Sequence, residues 1–144
     1  MTHGPSAALN LHASCVAIAG RGLLILGPSG AGKSALALQL MAMGAELVAD
    51  DRTLVSCEGG QLWGAAPAAL KGLIEARFVG LLHAPPVAAV RLVLAVDLEH
   101  SETQRLPPYR SLALAGIDLP LVHKAAVDHF PFALLCYVKY GRHG

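Results

Sequence analysis

Lys33 and Ser34 close the string GPSGAGKS at residues 27–34, and a lysine and a hydroxyl at the end of a glycine-rich run are residue types suited to holding phosphate. Gly27, Gly32, Lys33 and Ser34 satisfy the pattern G-x-x-x-x-G-K-[ST]. Gly27, Gly30 and Gly32 let the backbone bend so that N–H groups of the loop Gly27-Pro28-Ser29-Gly30-Ala31-Gly32 converge on an anion. A helix beginning near Lys33 would add its positive end to the same spot. Lys33 would bridge β- and γ-phosphates, and the Ser34 hydroxyl would ligate Mg²⁺. The chemistry implied is the binding of a nucleoside triphosphate. What happens to its phosphate is decided elsewhere in the chain.

Two acids offer themselves next. Asp50 and Asp51 follow the apolar run Leu47-Val48-Ala49, and Asp51 lies 17 residues beyond Ser34. A carboxylate there could order a metal or take the proton of an incoming alcohol, and a solvated turn is the plainer alternative. His12, at the start of the first apolar run, is a candidate beside an ordinary reading as an exposed or locally hydrogen-bonded histidine. Glu75 and Arg77, in LIEARF, read on their own as an ion pair at a helix end. His3, His83, His100, His123, His129 and His143 show no metal-ligand spacing, and neither do Cys15, Cys57 and Cys136, which read as reduced and mostly buried.

These residues need elements to position them. His12–Ile18 and Gly22–Leu26 read as strands joined at Ala19-Gly20-Arg21 in a hairpin. Ser34–Met43 is made almost wholly of helix formers and should stop at Gly44. Glu46–Ala49 reads as a strand ending in the two acids. Arg52–Ser56 and Gln61–Gly64 flank a Glu58-Gly59-Gly60 turn. Ala66–Leu73 reads as a short helix, and Phe78–Leu82 and Val90–Leu98 as buried strands parted by Pro85-Pro86. Beyond Leu98 the pattern weakens, through a Pro107-Pro108 loop to Phe132–Tyr140, a strand or a helix. The fold class expected is α/β, a phosphate-loop core with a mixed β-sheet in a single domain spanning residues 1–144, with residues 1–10 loosely held.

Composition removes other classes. With 11 Lys+Arg against 10 Asp+Glu, the net charge of +1 gives no electrostatic support for nucleic-acid binding. The chain is 54% hydrophobic, yet no apolar run reaches the ~18 residues a spanning helix needs. MTHGPSAALN has no basic region followed by an apolar core. The expectation is a cytoplasmic protein without membrane contact.

Taken together, LHASCVAIAGRGLLILGPSGAGKSALALQLMAMGAELVADD resembles the catalytic core of the HPr kinase/phosphorylase family. In that family a histidine lies about as far before the loop lysine as His12 lies before Lys33, and the helix after the loop leads to V-A-D-D, here Val48-Ala49-Asp50-Asp51. The segment GAAPAALKGLIEARFVGLL is similar to the family's second signature, where Glu75 and Arg77 match its Glu and Arg. The resemblance covers roughly Leu11–Leu98. It implies a kinase that uses ATP and Mg²⁺ to phosphorylate the regulatory serine of an HPr-like phosphocarrier protein, reversed in many members by phosphorolysis. It also implies Asp51, with Asp50 adjacent and not separable from it, as the proton acceptor. His12 would support that Asp, Lys33 and Ser34 would hold phosphates and metal, Glu75 would be a second metal ligand, and Arg77 would be catalytic.

The departures from the family pattern shape the expectation. The match is to a short, stand-alone form without the N-terminal domain of typical members, and residues 99–144 diverge. Phe78 stands where a Gly is expected after Arg77, and Phe132 where a further catalytic Arg is expected. The terminal helical region linked to dephosphorylation is expected to be lacking, so kinase chemistry is favoured over phosphorolysis. A homo-oligomer is expected, since the longer members are hexamers. Two other readings use the same loop: a kinase or ATPase acting on another acceptor, and a nucleotide-sensing module without turnover.

Overall fold

Alternation of apolar side chains along two central strands builds two cores at once. Val16, Ile18, Leu23 and Ile25 face one way, and Ala13, Cys15, Ala17 and Leu24 face the other, all of them buried. The computed structural model describes residues 8–143. Strands are β1 (Leu9–Leu11), β2 (Ala13–Ile18), β3 (Arg21–Leu26), β4 (Glu46–Ala49), β5 (Thr53–Glu58), β6 (Gln61–Ala65), β7 (Leu73–Ala76), β8 (Gly80–His83), β9 (Val90–Ser101), β10 (Arg110–Leu114) and β11 (Ile117–Lys124). The helices are α1 (Lys33–Ala42) and α2 (Phe130–Tyr140).

The main sheet runs β1-β5-β6-β9-β3-β2-β4, with β11 and then β10 branching from β9. It is mixed: β3 and β11 lie parallel to β9, while β2 is antiparallel to both β3 and β4. The fold class read from the sequence, α/β with a mixed sheet around a phosphate loop, is the one observed. Helices α1 and α2 cover the first core, through Leu36, Ala37, Leu40, Leu134 and Val138. The second core lies against Val55 and Leu62 on one side and Leu114 and Leu119 on the other. Burying a side chain such as Leu40 is worth about 1.5–3 kcal/mol, so helix and sheet hold one another. Arg21, at the start of β3, donates to the Val138 and Lys139 carbonyls at 3.3 and 3.0 Å and so ties down the C-terminal end of α2.

The strand directions carry the functional consequence. Because β2 runs against both β3 and β4, the start of β2, the end of β3 and the end of β4 all meet at one edge. His12, the glycine loop and Asp50-Asp51 therefore share it. Gly22 shows how closely the strands are set: a Cβ there would come within 2.8 Å of Val90 and 2.9 Å of the Arg91 carbonyl oxygen. Among the described residues no helix is long and apolar enough to cross a membrane.

Several expectations differ from the structure. The segment 66–73 holds only one 3-10 turn at Ala68–Leu70, because Gly72 turns left-handed (φ +75°) and sends the chain into β7. Strand β8 is exposed along its length and pairs only with β7, so Phe78–Leu82 is no buried strand. Leu9 and Asn10, placed in the loosely held first ten residues, pair with Val55 and Leu54 in β1, while residues 1–7 of that expectation lie outside the described residues. The β10–β11 hairpin occupies the region where the pattern weakened. Cys15 is buried, and its thiol is pushed up to about 12 by desolvation; Cys136 is exposed instead.

Candidate active site

The loop from Gly27 to Gly32 leaves β3 and enters α1, and three of its glycines have positive φ: Gly27 at 157°, Gly30 at 84° and Gly32 at 99°. A side chain on Gly32 would be strained at the very point where α1 begins. Ala31 N–H donates to the Pro28 carbonyl at 3.0 Å, closing the turn. Lys33, the first residue of α1, is 5% exposed and donates its Nζ to the same carbonyl at 3.1 Å. Burial pushes the Lys33 ammonium below its usual range, against the pull of the Asp51 and Asp50 carboxylates. A cation in that position gains most from a phosphate, which would supply the charge its surroundings only partly provide.

Asp50 and Asp51, adjacent in sequence, stand in opposite environments. Asp50 is buried, and its Oδ1 accepts from Ser34 Oγ at 2.7 Å and from Ser14 Oγ at 2.9 Å. Its Oδ2 accepts from the backbone N–H of Glu75 at 3.0 Å. The Asp51 side chain is 60% exposed, and its Oδ1 lies 2.8 Å from His12 Nε2. That contact has Nε2 carrying the proton it donates, so the approach of Lys33 Nζ to the same nitrogen, at 3.4 Å, is proximity rather than a second hydrogen bond. Asp51 also has φ +66°, and Arg52 N–H bonds back to the Asp50 carbonyl at 2.7 Å. A two-residue loop-back around a positive φ is the pattern of the rare, strained γ-turn.

A cleft of about 530 Å³ opens over these groups. Its lining includes Ser29, Gly30, Gly32, Lys33 and Ser34 on one side and Glu75, Ala76, Arg77 and Val79 on the other, with Asp51 between. The second wall is the β7–β8 hairpin, anchored in the helix-side core by Ile74. Glu75 and Arg77 thus sit on a strand and the turn after it, not at a helix end, and no ion pair joins them among the described residues. The Ser34 hydroxyl and the Glu75 carboxylate both belong to residues lining the cleft, and oxygen donors are what hard divalent cations take.

The structure therefore brings His12, the 27–34 loop, Asp50, Asp51, Glu75 and Arg77 to one place. Phe132, where a further Arg was expected, lies in the first turn of α2 and is 57% exposed. Ser14 was missed by reading the sequence for motifs. Its signal was a single hydroxyl in the buried strand ASCVAI, a position that must find a partner. Outside the cleft, Asp97 and His100 pair at 2.6 Å, and the His100 and His123 rings are 5.5 Å apart.

Comparison with known proteins follows the same residues. The family model described as HPr Serine kinase C-terminal domain matches residues 6–104. A protein of Mycoplasmopsis pulmonis named HPr kinase/phosphorylase is 42% identical over 86 residues, 60% of this chain and 28% of that protein. One of the same name from Streptococcus thermophilus is 36% identical over 126 residues, 78% of this chain and 41% of that one. The chain thus spans well under half the length of these curated relatives. A solved structure described as the Hpr(Ser) kinase/phosphatase from Coxiella burnetii superposes with a TM-score of 0.76 at 26% identity, over 91% of this chain and 94% of that one.

Proposed function

Because the chain belongs to the HPr Serine kinase C-terminal domain family, we propose that it transfers the γ-phosphoryl group of Mg·ATP to a serine hydroxyl of an HPr-type phosphocarrier protein. The observation that carries this reading is the division of labour between neighbouring aspartates. Asp50 is buried among donors, while Asp51 is exposed at the cleft and bonded to His12. A module that only bound nucleotide would use the loop and Asp50 and would have no call for an exposed, strained carboxylate.

In the mechanism, the loop N–H groups and Lys33 hold the β- and γ-phosphates, aided by the positive end of α1. Ser34 and Glu75 would hold Mg²⁺, which would neutralise phosphate charge there. Asp50 fixes the Ser34 hydroxyl through their 2.7 Å bond. Asp51 takes the proton of the acceptor serine as its oxygen bonds to the γ-phosphorus and the bond to the bridging oxygen breaks, releasing ADP. His12 holds the Asp51 carboxylate in line through their 2.8 Å bond. Arg77, on the far wall, is suited to the charge that develops on the transferring group. The single catalytic domain, the kinase direction of transfer, a cytoplasmic setting and assembly into a homo-oligomer belong to the same proposal.

The test is transfer of label from γ-labelled ATP to an HPr-type protein from the same organism, with Mg²⁺ and with chelator. The expected result is phosphoserine on the acceptor, dependent on Mg²⁺ and lost in Lys33→Ala. Tight binding of Mg·ATP with no label on HPr would instead point to another acceptor or to sensing.

A further inference from the structure

Resting on the proposed transfer reaction, we infer that Ser14 is a positioning residue for it: its hydroxyl fixes the turn that presents Asp51 and keeps Asp50 aimed at Ser34. Ser14 has no exposed surface. Its one proton goes to Asp50 Oδ1 at 2.9 Å, and its lone pair accepts the Asp51 backbone N–H at 3.1 Å. A single hydroxyl therefore grips both aspartates, one by its side chain and the other by its backbone.

The turn at Asp51 needs such a grip. Its positive φ is a conformation that side-chain-bearing residues adopt at a cost, and its loop-back bond joins Asp50 to Arg52, leaving the Asp51 N–H to find a partner elsewhere. Ser14 provides it. Without the hydroxyl that N–H loses its acceptor, and Asp50 loses one of three donors. His12 and Ser14 are two residues apart and both reach the 50–51 turn, His12 at the Asp51 side chain and Ser14 at its backbone. One end of β2 therefore sets where the Asp51 carboxylate stands relative to the loop that carries Lys33. Displacing a reacting group by even about 1 Å can cost on the order of 100-fold in rate.

The experiment compares wild type with Ser14→Ala and Ser14→Cys. Alanine leaves the buried site slightly empty and cysteine fills it slightly more than serine, but neither replaces the hydroxyl as donor and acceptor, so an effect shared by both reports hydrogen bonding rather than packing. Steady-state transfer should show kcat lowered about 10–100-fold in both variants, with KM for ATP changed by less than about threefold. Amide hydrogen exchange by NMR on the nucleotide-free protein should show the Asp51 N–H exchanging at least about tenfold faster, with Val16 and Leu24 amides unchanged. Wild-type kcat in Ser14→Cys, or an Asp51 amide as protected as before, would overturn the assignment. Should wild type transfer nothing to the acceptor, the proposed activity falls, and the exchange of the Asp51 amide still decides what Ser14 does.

Discussion

The two walls of the cleft are built on different principles. Beneath the loop wall the polar groups are closed by hydrogen bonds: Lys33 donates to the Pro28 carbonyl, Ser34 and Ser14 donate to Asp50, and no buried side-chain polar atom among the described residues lacks a partner. The hairpin wall is open. All of β8 is exposed, Val79 is 74% exposed, and Phe78 is fully exposed at φ +69°. Among the described residues a single side-chain hydrogen bond, Glu75 N–H to Asp50 Oδ2, ties them at the cleft floor. Order at the floor is thus a matter of completed hydrogen bonding, whereas the hairpin is anchored at its base, by Ile74 and Ala84 in the helix-side core and by that bond.

Two substitutions sharpen or break the contrast. Asp50→Asn, almost the same shape, puts an NH₂ against either the two serine hydroxyls or the Glu75 N–H. Losing such buried acceptor capacity costs about 1–3 kcal/mol, and chemical denaturation should show a loss of that size; an unchanged midpoint would mean the floor is not closed as described. Phe78→Gly acts on the other wall and in the other direction. Glycine takes a positive φ freely, and the relief of about 1 kcal/mol exceeds its greater freedom in the unfolded chain, so the melting temperature should rise by about 1–2 °C. A fall would mean that the Phe78 ring packs on something.

The smallest effect lies away from both walls. His100 is held above its usual pKa by its hydrogen bond to Asp97. Asp97, although its partial burial works the other way, is held below its usual value by His100 and the Glu99 N–H. The raised histidine adds stability at acidic to neutral pH that is lost as pH rises through its folded-state pKa, and the depressed carboxylate adds stability that is lost as pH falls through its own. His100→Ala should therefore lower the melting temperature near pH 6 by about 1 °C, an exposed pair being worth little, and should leave it unchanged at pH 9. Equal effects at both values would show that the pair contributes no charge interaction.

What could be read in advance follows the same division. The loop, α1 and the strands around them are local in sequence, with hydrophobic alternation and turn glycines pointing one way. The hairpin wall was misread because LKGLIEARF carries a helix-like mixture, and only the left-handed Gly72 and pairing with β8 make it a strand. The Ala19-Gly20 turn was legible between strongly apolar strands. The same dipeptide at Ala115-Gly116, with matching positive φ at both residues, was not, because β10 and β11 mix exposed positions and Pro120 with buried ones. Among the site residues, those in motifs were visible. The separation of Asp50 from Asp51 was not, since it depends on which way one strained turn points them.

That separation is the centre of the account, and Asp51→Asn tests it most directly. Single-turnover transfer from bound Mg·ATP to the acceptor serine should fall by about 10²–10⁴-fold, as for the loss of a general base, with nucleotide affinity and melting temperature near those of wild type. Transfer at the wild-type rate would contradict the assignment of Asp51 as the base and return that role to its buried neighbour.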